Sequence, residues 1–260
     1  MSRGLGDVYK RQVQANAGLP HVDDDGNTVF DIQAPEYAEA VAGMIADGVS
    51  VVGGCCGTTP AHMAALRTLI DNHTPSPRHR KPSMSVTSAQ TVVDLPCDGH
   101  KIAVIGERIN PTGKKRFQQA LREGDMNYVL EQAVSQAEAG AQVLDVNVGA
   151  PGVDEPVLME QVVKALQSVT SLPLQLDSSN VEALARGLRV YNGKPIVNST
   201  NGEPEKLAAI LPLCKKYGAA IVGLAIDEKG IQPKAADRVA IARRITEAAL
   251  AAGIPREDIY

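Results

Sequence analysis

Apolar and polar positions in this chain alternate between short apolar runs and longer amphipathic stretches. After residue 100 the apolar runs begin near five positions: Ile102, Gln142, Leu172, Pro195 and Ala219. The amphipathic stretches Asp125 to Ala139 and Asp237 to Ala252 carry apolar side chains at i, i+3 and i+4, the spacing of one helix face. Strands that alternate with helices in this way predict parallel βαβ units, and hence an α/β barrel or a doubly wound sheet.

The first part of the chain, residues 13–73, shows a shorter version of the same alternation. It predicts a strand at VQAN, a turn at Asp23–Gly26, a helix near Pro35–Ala46, a strand at Val49–Val52 and a helix at Pro60–Ile70. This β-loop-α-β-loop-α segment is too small to enclose a core by itself.

The second part, residues 101–260, contains too few units for a closed barrel. Five strand–helix units are visible, and Asp258-Ile259-Tyr260 has the pattern of a sixth strand. A complete (β/α)₈ barrel needs about 250 residues, whereas this part supplies 160. We therefore expect the second barrel to stop before it closes.

Two further segments lack a regular pattern. Residues 74–100 are rich in Pro, Ser, Thr and basic groups, which predicts an interdomain linker. Its charge run Arg78–Lys81 is interpreted as solvated linker, with a binding patch as the weaker alternative. Residues 1–12 are mixed, glycine-broken and unlike the rest, so we expect a non-native leader there.

Composition excludes several classes of function. A net charge of −4 and a pI near 5.8 give no electrostatic footprint for nucleic acid. No apolar run approaches the length that spans a membrane. Four cysteines, Cys55, Cys56, Cys97 and Cys214, do not form a secreted disulfide framework, which favours a reducing cytoplasm.

The motif Gly53-Gly54-Cys55-Cys56-Gly57-Thr58 follows the apolar run at Val49–Val52. This pattern predicts a strand that delivers two thiols to a tight loop. Adjacent cysteines rarely bridge each other without strain, so two thiols held together favour half of a soft-metal site, with zinc as the usual metal. The alternative is a pair of small buried hydrophobic residues at a barrel end. Cys97 and Cys214 are interpreted as a linker thiol and a helix-packing thiol.

Acids and amides gather where each predicted strand of the second part ends. They are Glu107, Asn110, Asp145, Asn147, Asp177, Asn180, Asn198, Asn201 and Asp227. Barrel enzymes place their active sites at this carboxyl end of the strands. Amides and carboxylates suit a flat heterocycle with alternating donors and acceptors. A nucleotide is not favoured, because the sequence has no Gly-rich phosphate motif.

Each of these side chains has a structural alternative. Ser179 and Asn180 are equally well explained as caps of the following helix, and Asn201 is better explained as a turn residue. Asp227 is expected to be solvent-exposed, and Arg108 to pair with Glu107 or another acid. A functional role is favoured for the four residues that close apolar strands: Asp145, Asn147, Asp177 and Asn198.

These motifs carry a resemblance to a known family. The segments GERINPTGKK, EAGAQVLDVNVGAPGVDE, LPLQLDSSN, GKPIVNSTNGE and KKYGAAIVGLAIDEKGI resemble the pterin-binding domain of cobalamin-dependent methionine synthase. They cover nearly all of residues 101–260. The segments ANAGLP and GGCCGTTPAHM resemble the end of the homocysteine-binding zinc barrel of the same family. The resemblance implies two incomplete (β/α)₈ TIM-type barrels joined by a linker.

The resemblance also implies site residues and chemistry. Cys55 and Cys56 would be two of three zinc-ligating cysteines, and Asp177 and Asn198 would contact the pterin ring and take part in catalysis. The rest of that pocket would be formed by Glu107, Asn110, Asp145 and Asn147. Homocysteine would bind zinc as a thiolate and take the methyl group of methylcobalamin, which 5-methyltetrahydrofolate would then restore. A cobalamin-binding domain or protein is the implied partner.

The sequence departs from this family in three ways. The third zinc cysteine is missing, the chain stops before the family's next strand-end acid, and no cobalamin domain follows. We therefore expect a piece of a longer protein with neither half-reaction intact. The alternatives are a dihydropteroate synthase, a methyltransferase acting on a corrinoid iron–sulfur protein, or a non-catalytic folate-binding module.

Overall fold

The computed structural model describes residues 11–73, 84–95 and 102–260. The chain divides into two compact units, Met1–Pro82 (unit 1) and Ser83–Tyr260 (unit 2). The predicted leader up to residue 10, the Arg78–Lys81 run and Cys97 lie outside the described residues. Within the described ranges, no helix combines the length and apolar character needed to cross a membrane.

Unit 1 contains four strands and two helices among its described residues. They are β1 (Arg11–Ala15), β2 (Pro20–Val22), β3 (Thr28–Phe30), α1 (Ala34–Ala46), β4 (Val49–Gly54) and α2 (Pro60–Ile70). The predicted helices and the predicted β4 strand are confirmed, and the Asp23–Gly26 turn joins β2 to β3. Strand β1 starts at Arg11, so its first two residues belong to the segment predicted as leader.

Strands β1 and β4 are parallel neighbours, and α1 and α2 cover them. Tyr37, Val41 and Leu66 form the centre of a small apolar cluster between these elements. The Tyr37 hydroxyl donates to the carbonyl of Gly53 over 2.8 Å, at the end of β4. This bond fixes the strand end that precedes the two cysteines.

Unit 2 begins with a hairpin and continues with a parallel sheet. The hairpin strands are β5 (Ser85–Thr87) and β6 (Val92–Asp94). The sheet strands are β7 (Ile105–Ile109), β8 (Val143–Val146), β9 (Leu174–Asp177), β10 (Ile196–Asn201) and β11 (Ala220–Leu224). A short ribbon, β12 (Ile226–Asp227) and β13 (Gly230–Ile231), follows the sheet. The helices are α3 (Lys115–Glu123), α4 (Met126–Glu138), α5 (Glu155–Val169), α6 (Val181–Val190), α7 (Pro204–Tyr217) and α8 (Ala235–Ala251).

The sheet order is β11-β10-β9-β8-β7, with all neighbours parallel and a helical connection after each strand. This confirms the predicted α/β fold of the (β/α)₈ type. Ile259 forms a parallel bridge to Ile221 of β11, as the predicted start of a sixth strand requires. The sheet is open among the described residues, because β7 and β11 are its two edges.

The two faces of the sheet pack against different partners. Leu144, Leu176 and Val197 belong to the main apolar core with the surrounding helices. Val143, Ile196 and Ala220 lie at the amino ends of their strands and pack against the hairpin. Side chains alternate between faces along a strand, so the second set points into the barrel.

The hairpin lies inside residues 84–95, part of the segment predicted as a linker. Val86 and Val93 are opposite each other in β5 and β6, and both are buried against the amino ends of the sheet strands. These two strands, of three residues each, were not predicted because the segment is rich in Pro and Ser. Because the hairpin covers the amino end of the sheet, the opposite end carries the accessible polar residues.

Candidate functional site

Strand β4 ends at the cysteine pair, and backbone bonds tie this loop to the end of β1. The Cys55 N–H donates to the Ala15 carbonyl over 2.9 Å, and the Ala17 N–H donates to the Cys56 carbonyl over 3.0 Å. Gly57 has φ near 78° and lies against Phe30, where a Cβ would come within 2.2 Å of the ring. Only glycine fits there without strain. Both cysteines are exposed, so their interpretation as small buried hydrophobic residues is wrong.

The two sulfur atoms lie at a distance that one metal ion could bridge. Their separation is 3.8 Å, and two sulfurs bound to one tetrahedral zinc ion are also about 3.8 Å apart. The hydrogen bond with Cys55, followed by the charge of Cys55, raises the pKa of the Cys56 thiol. Among the described residues no group of three His, Cys, Asp or Glu side chains forms a metal site.

In unit 2, the sheet brings Asn110, Asn147 and Asp177 together at the carboxyl ends of neighbouring strands. Asn147 Nδ2 donates to Asp177 Oδ2 over 3.0 Å, and Asn110 Nδ2 donates to the same oxygen over 3.4 Å. The Asn110 amide oxygen accepts the Thr112 backbone N–H, and the Asn147 amide oxygen accepts the Gly149 backbone N–H. Their NH₂ groups are therefore fixed toward the carboxylate. Neither bond uses Asp177 Oδ1.

Asp145 lies deeper, with only 2% of its surface exposed. Gln175 Nε2 donates to its Oδ1 over 2.5 Å, and the Asn198 side chain also hydrogen-bonds to it. Burial raises the pKa of Asp145 to about 6; the Gln175 bond opposes this increase, and the charge of Asp177 adds to it. Asp145 therefore changes charge near neutral pH.

Glu107 lies at the rim of this cluster. It is exposed and pairs with Lys114, whose Nζ lies 2.9 Å from Glu107 Oε2. Burial is the main reason that the pKa of Asp177 is raised; the Asn147 bond opposes the increase, and the Glu107 charge adds to it. The site thus concentrates negative charge, which favours a ligand that offers N–H donors.

A cleft of about 220 Å³ opens beside the cluster at the carboxyl ends of β9 and β10. Asp177 and Asn198 line it, together with Lys206 and Ile210 of α7. Thr200, which is 2% exposed, also lines the cleft, and its hydroxyl has no hydrogen-bond partner. Buried hydroxyls are nearly always paired, so this one marks a place where a bound molecule can supply a partner.

The structure decides the alternatives for the other strand-end residues. Asn180 Oδ1 accepts the N–H groups of Glu182 and Ala183, so this residue caps α6. Asn201 accepts the Glu203 N–H, as expected of a turn residue. Asp227 is only partly exposed, because it pairs with Arg244 at 3.2 Å. Glu107 pairs with Lys114, not with Arg108.

Two residues of the cluster were not identified as site residues from the sequence. Gln175 is a polar residue between Leu174 and Leu176 of an apolar strand, and this interruption is the signal that identifies it. Ser178, which is buried, donates to Glu155 at the start of α5 and accepts the Asn180 N–H. A serine beside a predicted cap carries no signal of such a long-range contact.

An open parallel sheet covered by helices, with carboxylates and amides at its carboxyl end, defines an α/β protein of the barrel type. The profile of the family described as "Pterin binding enzyme" matches residues 106–260, and this chain belongs to that family. The profile described as "Homocysteine S-methyltransferase" matches residues 5–70. The second match covers most of unit 1 and begins within the segment predicted as leader.

Curated relatives match both units together. Methionine synthase of Mycobacterium tuberculosis (strain ATCC 25618 / H37Rv) is 36% identical over 239 residues, covering 90% of this chain and 20% of that protein. Methionine synthase of Mycobacterium leprae (strain TN) is 35% identical over 244 residues, with the same coverage. The chain thus spans about a fifth of the length of these relatives.

Among solved structures, 7,8-dihydropteroate synthase from Vibrio fischeri ES114 is similar with a TM-score of 0.50 and 17% identity. The similarity covers 68% of this chain and 64% of that one. At this identity the likeness shows the fold alone.

Proposed function

We propose that this chain forms homocysteine-binding and pterin-binding regions of a methionine synthase, which transfers a methyl group from 5-methyltetrahydrofolate to homocysteine. One observation carries the proposal: a homocysteine S-methyltransferase match and a pterin-binding match occur in one chain. Methionine synthases match across both regions at 35–36% identity. The carboxylate and amide cluster in unit 2 and the thiol pair in unit 1 supply the chemistry that each region needs.

In the proposed pterin site, Asp177 and Asn198 contact the ring and take part in catalysis. Asn110 and Asn147 orient Asp177, which leaves Oδ1 for N–H donors of the ring. Asp145 and Glu107 add negative charge around the same pocket. Tetrahydrofolate leaves readily only when its N5 is protonated, so the Asn198 amide beside the acids has the role of binding and polarising that region.

In the proposed homocysteine site, Cys55 and Cys56 hold a zinc ion as two of its ligands. Zinc bound there supplies a Lewis acid that keeps the homocysteine sulfur as a thiolate near neutral pH. The exposed loop leaves both sulfurs accessible to the metal. Cobalamin, carried by a further domain or a separate protein, is the proposed methyl carrier between the two sites.

The alternatives have less support. The likeness to a dihydropteroate synthase concerns the fold, and no cysteine pair is needed for a pterin site alone. A dihydropteroate synthase or a corrinoid iron–sulfur protein methyltransferase would leave the homocysteine S-methyltransferase match at residues 5–70 unexplained.

Calorimetric titration of the whole chain with 5-methyltetrahydrofolate tests the pterin half of the proposal. We expect saturable binding to one site, with no comparable binding of 4-aminobenzoate. Absence of folate binding at every pH between 5.5 and 8 would contradict the proposal and favour a non-catalytic scaffold with a vestigial pocket. Binding of 4-aminobenzoate together with a dihydropterin would favour a dihydropteroate synthase.

Competition with a chelating dye tests the zinc half. We expect the wild-type chain to bind zinc weakly, and Cys55→Ser to abolish that binding because one thiolate remains. Cys214→Ala is the control, since this thiol is buried within the unit 2 core and burial raises its pKa to about 12. Equal zinc affinity in wild type and Cys55→Ser would contradict the assignment of the cysteine pair as zinc ligands.

A further inference from the structure

The side chain of Gln175 lies on the inner face of the sheet, two residues before Asp177 on the same strand and on the amino-terminal side of the proposed pterin site. It is 7% exposed and is opposite Asp145 in the pairing of β8 with β9. Its neighbours along the strand, Leu174 and Leu176, both point to the helix side and are apolar. Burying an amide costs free energy unless it is hydrogen-bonded, and here its bond goes to the Asp145 carboxylate.

Gln175 does not line the cleft, whereas Asp177, two residues further along the same strand, does. Asp145 does not line the cleft either, but its carboxylate is hydrogen-bonded to the side chain of Asn198, which does. Gln175 therefore reaches a ligand through Asp145 and Asn198. We infer that Gln175 is a positioning residue, whose amide holds the Asp145 carboxylate charged and oriented toward Asn198, the residue proposed to contact the ring of a bound pterin. This inference rests on the proposed function, because it concerns the same site.

The charges around Asp145 explain why such a donor is needed. Asp177 on β9 and Glu107 on β7 both oppose a negative charge on Asp145, and burial adds to their effect. Lys114 is engaged with Glu107. The opposing contributions are the hydrogen bonds from Gln175 and from Asn198 of β10. A hydrogen bond from an amide N–H is stronger to a charged carboxylate than to the neutral acid, so it favours the carboxylate.

The test is the titration of Asp145 in the ligand-free chain, followed by carbon-13 NMR of labelled aspartate carboxyls and assigned with Asp145→Asn. The wild-type midpoint is expected near pH 6. Gln175→Met keeps the length of the side chain and removes the donor, so we expect the midpoint to rise by about one pH unit. Ile196→Val, at the position paired with Gln175 in β10, is the matched control. It should lower stability without moving the midpoint.

Ligand binding gives a second readout. If the midpoint rises by about one unit, roughly a tenth of Asp145 is charged at pH 6, where about half is charged in the wild type. We therefore expect Gln175→Met to weaken 5-methyltetrahydrofolate binding about fivefold at pH 6 and about twofold at pH 7. In an Asp145→Asn background the same substitution should have little further effect, because the carboxylate through which it acts is absent.

A folded Gln175→Met variant with an unchanged Asp145 midpoint would overturn the inference. If that variant does not fold, NMR of the wild-type protein tests the inference instead. The Gln175 side-chain NH₂ resonances should then shift with pH at the Asp145 midpoint. Resonances that do not change with pH would overturn the inference. Failure of the wild type to bind folate would instead contradict the proposed function, since the carboxyl titration needs no ligand.

Discussion

At the scale of single residues, Asp145 shows a conflict between stability and ligand binding. Its carboxylate is 2% exposed and lies near the charges of Asp177 and Glu107, and burial raises its pKa to about 6. The group is neutral in the folded state over a pH range where it is charged in the unfolded chain, whose pKa is near 3.8. Folding is therefore favoured by this group at low pH, and that contribution is lost as the pH rises through 6.

Asp145→Asn should consequently stabilise the folded protein at alkaline pH. We expect the free energy of unfolding to exceed that of the wild type by roughly 2 kcal/mol at pH 8, and by less than about 1 kcal/mol at pH 4, where the wild-type acid is protonated. Urea denaturation at both pH values measures the difference. Glu131→Gln on the exposed side of α4 is a control that should change little at either pH. A variant less stable than the wild type at pH 8 would contradict the assigned cause.

At the level of secondary-structure elements, the hairpin β5–β6 packs against the amino ends of the sheet strands, opposite the site. Tyr191 links it to the sheet: its hydroxyl donates to the Thr87 carbonyl over 2.8 Å and accepts the Leu174 N–H over 3.1 Å. Thr87 also pairs with Lys194, which brings the hairpin against the entry to β10. Closing the amino end of the barrel in this way leaves the carboxyl end as the open face.

Tyr191→Phe should weaken this link. The Leu174 N–H then loses its acceptor in a buried position, whereas the Thr87 carbonyl keeps the Lys194 N–H. We expect a loss of about 2 kcal/mol in the free energy of unfolding, measured by urea denaturation. Tyr217→Phe, where the ring lies 5.2 Å from the Lys216 ammonium, should cost less than about 0.5 kcal/mol. If both variants lose the same free energy of unfolding, the hydrogen bonds of the Tyr191 hydroxyl do not stabilise the contact between the hairpin and the sheet.

Local pattern was sufficient to predict the parallel strands and one helix after each of them, because each strand shows an apolar run and each of these helices an apolar face. It did not predict α3, which precedes α4 between β7 and β8. It was insufficient for the hairpin, since strands of three residues are stabilised by tertiary contacts of Val86 and Val93 with the sheet. Asp145 and Asp177 were identifiable at strand ends. The depth of Asp145 and its bond from Gln175 depend on the register between β8 and β9, which the sequence does not encode locally.

At the scale of the whole molecule, the chain consists of two units with separate cores. The apolar cluster around Tyr37 and Leu66 belongs to unit 1, and the two other clusters belong to unit 2. All residues that line the proposed pterin cleft lie in unit 2. The proposed zinc ligands lie in unit 1. The two proposed half-sites are thus built by different parts of the chain.

This separation predicts independent binding. Residues 83–260, expressed alone, should bind 5-methyltetrahydrofolate with a dissociation constant within about twofold of that of the whole chain, because every residue that lines the proposed cleft belongs to this unit and sites without shared partners act additively. The double substitution Cys55→Ser, Cys56→Ser in the whole chain should likewise leave folate binding unchanged. Calorimetry measures both. A loss of folate affinity above tenfold in either protein would show that unit 1 contributes to the folate site.

Asp177 and Asn198 are proposed to form the recognition surface for a reduced pterin at the strand ends of unit 2. The most direct measurement compares the dissociation constant of 5-methyltetrahydrofolate for the wild type, Asp177→Asn, Asn198→Ala and Asn180→Ser, with circular dichroism to show that each is folded. We expect affinity to fall more than about tenfold for the first two variants, because each removes a partner of the ring. Asn180→Ser should keep wild-type affinity, since serine also caps α6. Wild-type affinity in folded Asp177→Asn and Asn198→Ala would contradict the account.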